Sequence, residues 1–316
     1  MKKVINLKNA FVKRGITSFI LSLVVSGFAF AQEPFEGEIV YQTYENYPRE
    51  LLNLDTTCEF NGVHRYRAIM KDCRMHIIDE TTGIHQLYDD DRKTYFHYCE
   101  HTKVCLDDSY GKYQGIMFSD NNRTIDNGGF VSTVNISSNF AKTDDTKILL
   151  GHNCVLYQGN IDVKNSSDAF DMTVSHNIKA YFADDIVAPK SYKFITNGLD
   201  SPNIALSLAW KSGGLHLDKV GEGSTYIEMT VLEIKPYKVS DDEFSIPSGY
   251  KMIKYEKNEF NSKSLKQMKA QIKNMNLYLN YYKDIKKKLE ELGIINGDRR
   301  EINSSVNYKT EGEWDF

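Results

Sequence analysis

"DMTVSHNIKAYF", residues 171–182, alternates without a break. Met172, Val174, His176, Ile178, Ala180 and Phe182 fall on one side of an extended chain. Asp171, Thr173, Ser175, Asn177, Lys179 and Tyr181 fall on the other. Successive side chains of a strand point to opposite faces, so this period of two predicts a long half-buried strand. "EGEIVYQTYE" (36–45) and "STYIEMTVLEI" (224–234) also read as strands. "MHIIDE", "IHQLYD" and "KTYFHY", separated by "TTG" and "DDDR", predict an antiparallel meander. Asn61-Gly62 lies between "TCEF" and "VHRYRAIM" and reads as a two-residue hairpin turn. The expected class is therefore mainly β, an α+β chain with few helices before residue 260. "PRELLNL" (48–54) and "SPNIALSLAW" (201–210) are the early helix candidates, the second with Ser201 as N-cap and Pro202 at the first helical position.

Residues 260–293 predict a long C-terminal helix, capped by Asn261 or Ser262 at its start and Gly293 at its end. Leu265, Met268, Ile272, Met275, Leu279 and Tyr282 recur at spacings of three and four, an amphipathic stripe. The pattern then slips to Ile285, Leu289 and Leu292. The stripe is a candidate seam for a partner helix or an anionic membrane surface, with packing on the β domain as the plain alternative. The helix is expected to reach past the β domain, so a chain cut after residue 255 should stay folded. The tail from Gly297 is polar and aperiodic and is expected to be mobile.

The first 31 residues read as an export signal. Lys2, Lys3, Lys8, Lys13 and Arg14 precede the apolar run Ile16–Phe28 and the A-x-A site Ala29-Phe30-Ala31. No cysteine follows that site, so a soluble periplasmic or secreted protein is expected rather than a lipoprotein. Residues 32–316 carry 34 basic against 43 acidic residues, a net charge of −9, which argues against a nucleic-acid partner. Five cysteines in an exported chain point to disulfides.

Four stretches together resemble a secreted bacterial family of unknown function with a LolA-like fold, LolA being the periplasmic lipoprotein carrier. They are "FEGEIVYQTYE", "GHNCVLYQG" with Gly151-x-x-Cys154-x-x-Tyr157, "AYFADDIVAPKS", and "VSDDEFSIPSGYKMI" with Phe244-x-Ile246-Pro247-x-Gly249-Tyr250. They run in the family's order from residue 35 to about 253. The resemblance implies a strongly curved, incomplete antiparallel barrel over 32–255, with helices in or near its concave face. The C-terminal helix and tail, 256–316, are additions to that pattern. It implies no catalytic residues and no cofactor.

One stretch invites chemistry. "TYFHYCEHTKVCLDD" (94–108) contains His97-x-x-Glu100-His101, an inverted zinc-peptidase motif. That motif needs a helix, where residues four apart lie together. On the extended chain expected here the two histidines stand about 13 Å apart. His97, Cys99, His101 and Cys105 would share a strand face and remain a metal alternative, but export favours a Cys99–Cys105 disulfide across a hairpin. The cysteine Cys154, in an apolar strand, is expected to be a buried thiol, and Asp89-Asp90-Asp91 a polar turn. His176 is expected to be a hydrogen-bonded core histidine. No phosphate loop, dinucleotide fingerprint or nucleophile elbow is present in the sequence. The expected function is non-enzymatic binding of a lipid, an acylated protein or another hydrophobic ligand, through Met172, Val174, Ile178 and Phe182. The alternative is an envelope interaction protein acting through its C-terminal helix. No metal is expected to be bound.

Overall fold

The computed structural model describes residues 32–48, 52, 59–109, 122–126, 131–167, 171–196, 202–212, 224–254, 265–297 and 300–303. The signal sequence, most of the 48–54 helix candidate, Cys58 and residues 304–316 lie outside the described residues.

The chain opens with β1 (Gly37–Asn46), followed by the meander β2 (Gly62–Lys71), β3 (Arg74–Asp79), β4 (Ile84–Asp89), β5 (Thr94–Cys99) and β6 (Val104–Asp107). Next come β7 (Asn122–Asp126), β8 (Val131–Ser138), β9 (Ala141–Leu149) and the long pair β10 (His152–Ser167) and β11 (Asp171–Val187). Then follow β12 (Asn203–Ser212), β13 (Thr225–Pro236), β14 (Lys251–Lys254), α1 (Leu265–Glu291) and the short hairpin β15 (Ile295–Asn296) and β16 (Glu301–Ile302). β1 to β14 form one sheet in the order 14-6-5-4-3-2-1-13-12-11-10-8-7, with β9 also on β10. The sheet is mixed, because β14 runs parallel to β6, and it is not closed. The mainly β class read from the alternation is what the chain adopts.

β11 keeps the expected alternation. Ile178, Ala180 and Phe182 are buried while Thr173 and Ser175 are exposed. These three join a large apolar cluster with Ile39, Met70, Met75, Tyr88 and Leu206. Full burial of a side chain the size of Ile178 or Phe182 contributes about 1.5–3 kcal/mol. The turn Lys190–Phe194 crosses this face. Ser191 N–H donates to the Asp72 carbonyl at 3.0 Å, and the Phe194 ring stacks on Tyr88 at 4.2 Å. Tyr192 is buried, and its hydroxyl accepts from Ala205 N–H at 2.9 Å. Tyr192 and its neighbours thus tie β12 to the β2–β3 turn and β4.

Three local expectations fail. "SPNIALSLAW" is not a helix but β12, and every residue from Ile204 to Trp210 is buried. It lies between β11 and β13. A strand covered on both faces shows a continuous apolar run, which periodicity cannot separate from a buried helix. Asn61-Gly62 is not a hairpin turn. Gly62 starts β2 opposite Glu45, and the Asn61 side chain accepts from Tyr47 N–H at 2.7 Å, fastening the end of β1 to the start of β2. The start of the tail is not loose either. Ile302 N–H donates to the Asn61 carbonyl at 2.8 Å, and Asn61 N–H to the Arg300 carbonyl at 2.8 Å.

α1 ends where Gly293 predicts, with a positive φ of 68°. Gly293 N–H donates to the Glu290 carbonyl and Ile294 N–H to the Leu289 carbonyl, each at 2.9 Å. This is a Schellman closure. Leu289 and Ile294 also share an apolar cluster, the contact that accompanies such an end. The apolar side that docks is Tyr281, Ile285 and Leu289, all buried, with Tyr278 and Tyr282 at its margin. It covers Phe60, Ile84, Cys99 and Leu106 of the sheet unit. Of the stripe expected to meet a partner, Ile272 is 55% exposed, while Leu279 and Tyr282 are half-buried. The side chains of Leu265, Met268 and Met275 lie outside the described residues. The sheet-packing face is thus rotated away from the stripe and supplied by the later residues.

Candidate functional site

The 94–108 stretch is a hairpin, β5 to β6, so His97-x-x-Glu100-His101 does not lie on the helix that the peptidase motif needs. Cys99 lies opposite Val104, and Cys105 opposite Tyr98. An offset of one residue puts two side chains on opposite faces of a sheet. Cys99 packs with Ile84, Leu106 and Ile285, whereas Cys105 packs with Leu87 and Tyr98. The Cys99–Cys105 bridge is therefore replaced by two buried free thiols. Among the described residues no three His, Cys, Asp or Glu side chains converge as metal ligands. His97 is buried on the α1 side, where its Nδ1 donates to the Tyr281 hydroxyl at 2.8 Å and that hydroxyl donates to the His97 carbonyl at 2.8 Å. His101 sits in the turn against Gly83, whose φ of 67° and missing Cβ leave room for the ring.

Burial pushes the Cys105 thiol up to about 12 and Cys154 to about 11, and raises Cys99 as well. These thiols are not nucleophiles at neutral pH. Iodoacetamide is expected to spare Cys99, Cys105 and Cys154 in the native protein and to alkylate all three in urea without reductant. Recovery of a Cys99–Cys105 linked peptide would contradict the register.

Two buried histidine networks were not legible in the sequence. On the core face, His64 Nδ1 lies 2.9 Å from Asp79 Oδ2, and its Nε2 lies 3.0 Å from the Phe60 carbonyl. Both partners only accept, so both nitrogens must carry protons and His64 is an imidazolium. Burial alone would lower its pKa. The carboxylates of Glu45 and Asp79 outweigh that and hold it up at about 9. Thr43, Tyr47 and Tyr66 donate to Glu45, and Thr82 donates to Asp79.

On the other face, Glu100 Oε1 accepts from His85 Nε2 at 2.8 Å, and His85 Nδ1 lies 2.9 Å from His76 Nε2. The His85 ring stacks on Tyr98 at 4.5 Å. Burial, and then the neighbouring His85, lower His76 to about 3. Burial also lowers His85 against the pull of Glu100. The relay is a neutral pair ending in a half-exposed carboxylate. Opposite registers explain the miss. His76 faces Leu87 and His85 faces Ile78, so the two rings meet only on the diagonal.

The ligand positions read from residues 171–182 occupy one face, but not one environment. Ile178 and Phe182 are buried at 1% and 2% exposure, whereas Val174 and its cross-strand partner Val163 are half-buried. The side chain of Met172 lies outside the described residues. The apolar face thus continues from a closed core to an open end. That end carries the polar pair His176 and Ser212, with Nδ1 2.7 Å from Oγ. Trp210 Nε1 donates to the same Oγ at 2.8 Å, and the Trp210 ring meets His176 edge-on at 5.1 Å. The Ser212 hydroxyl accepts from Trp210 and shares a hydrogen bond with His176, the hydrogen-bonded histidine that the sequence predicts. Burial lowers the pKa of His176 against the field of the Asp162 carboxylate, which accepts from Ser175 Oγ at 2.6 Å. No protein-family model matches the chain, and no curated protein matches it in sequence.

Proposed function

We propose that the protein is an exported, non-enzymatic binding protein of LolA-like architecture that takes a lipid or acyl chain on the open end of its apolar sheet face. One observation carries this reading. The face that is closed at Phe182 and Ile178 opens at Val174 and Val163, beside the Trp210–Ser212–His176 group. Burying an acyl chain there gains about 0.8 kcal/mol per methylene removed from water. The turn Lys190–Phe194 over the inner part of the same face fits a curved, incomplete barrel partly filled by its own chain. The basic and apolar N-terminal segment with its A-x-A site supports export. The neutral His76–His85 pair, the ion-paired His64 and the unreactive thiols favour binding over catalysis.

A fluorescent fatty-acid analogue is expected to bind the purified chain of residues 32–316 and to perturb tryptophan emission, a change lost in Trp210→Phe, which keeps only Trp314. Val174→Asp should weaken it about tenfold or more, since one buried aliphatic side chain is worth about 1.5–3 kcal/mol. Absence of probe binding, or equal binding by Val174→Asp, would refute the reading.

A further inference from the structure

We propose that the N-terminal half of α1 is a docking face for an anionic lipid surface. The helix has two apolar sides. Tyr281, Ile285 and Leu289 are spent on the sheet. At about 100° per residue, Ile272 lies about 140° around the helix from Ile285, and Leu279 about 120°. Ile272 is 55% exposed, and Lys269 and Lys273 beside it are exposed too. By spacing, Leu265, Met268 and Met275 continue the same stripe in the sequence.

Charge selects the occupant. Between residues 261 and 282 the chain has Lys263, Lys266, Lys269 and Lys273 and no acidic residue. The remainder of residues 32–316 is strongly acidic, since the whole carries −9. A second copy of this helix would set lysines against lysines. A surface of acidic headgroups over acyl chains complements both the lysines and the apolar stripe, the arrangement of an interfacial amphipathic helix. Each lysine near such a surface is worth about 1 kcal/mol, or about fivefold in binding. No helix among the described residues is long and apolar enough to cross a membrane. The proposed contact lies along the surface, and it does not depend on the ligand reading of β11.

The test is co-sedimentation of residues 32–316 with vesicles of phosphatidylcholine alone, or mixed in equal parts with phosphatidylglycerol. Binding is expected to the mixed vesicles only, and to be lost at about 1 M salt, where the screening length is about 3 Å. Lys269→Gln and Lys273→Gln should each weaken binding about fivefold. Ile272→Asp should weaken it about tenfold or more, through loss of the inserted side chain. Lys164→Gln, exposed on β10, should leave it unchanged. Equal binding to neutral vesicles, no binding at all, or an equal effect of Lys164→Gln would overturn the proposal. So would a concentration-dependent dimer abolished by Ile272→Asp without vesicle binding, which would assign the face to a second copy.

Discussion

Stability is expected to fall on both sides of a maximum near neutral pH, because two buried histidines titrate in opposite senses. His76 has a folded value of about 3 against an ordinary value of 6.5. Below pH 6.5 the unfolded chain takes up a proton that the folded chain refuses, so stability is lost from there toward pH 3. The slope approaches about 1.4 kcal/mol per pH unit for one group. His85, lowered as well, adds to this acid limb. Asp79 is held below its ordinary value of 3.8 against burial by the charge of His64, so its contribution is present above 3.8 and is lost as pH falls from there through the folded value. His64 acts the other way. Its folded value of about 9 lies above 6.5, so its ion pair contributes fully below pH 6.5 and is lost as pH rises through 9.

Urea unfolding midpoints measured across this range should trace both limbs. His76→Phe should flatten the acid limb. His64→Phe should flatten the alkaline limb and, by stranding the buried carboxylates of Asp79 and Glu45, cost about 3–5 kcal/mol at neutral pH. A midpoint that does not move between pH 6.5 and 9 would show that His64 is neutral and that Asp79 is balanced by another group.

The second large effect concerns α1. Ile285→Ala is expected to destabilise the protein by about 2–5 kcal/mol, the cost of a cavity in a filled core. Ile285 is fully buried between Phe60, Ile84, Cys99 and Leu106. Ile272→Ala on the exposed side should change stability by less than about 0.5 kcal/mol. Removal of residues 256–316 should go further. It uncovers those sheet residues and removes the Tyr281 hydroxyl bonded to His97. The truncated chain is therefore expected to aggregate, contrary to what the helix suggests as an isolated sequence. A soluble, cooperatively unfolding product of that truncation would place the helix outside the core.

The strands of the meander, β11 and the C-terminal helix with its glycine stop were legible because each is a local matter, while the N-cap candidates Asn261 and Ser262 lie outside the described residues. Alternation of period two, turn residues and a C-terminal glycine act within a dozen residues. β12 was not, since Ile204–Trp210 is buried on both faces and so carries no period. The open end of the candidate site was half legible. Val174, Ile178 and Phe182 share a face by parity, but their difference in exposure depends on what covers them.

The amino-acid order by itself determined which segments extend, which coil, and which side of each is apolar. It could not set partners between segments distant in sequence. A one-residue offset separates Cys99 from Cys105, a diagonal joins His76 to His85, and a rotation around α1 chose Tyr281, Ile285 and Leu289 over the more regular stripe. Only the tertiary structure decided these, because register and docking angle are set by packing across the whole sheet. One residue of slip there sends every side chain to the opposite face.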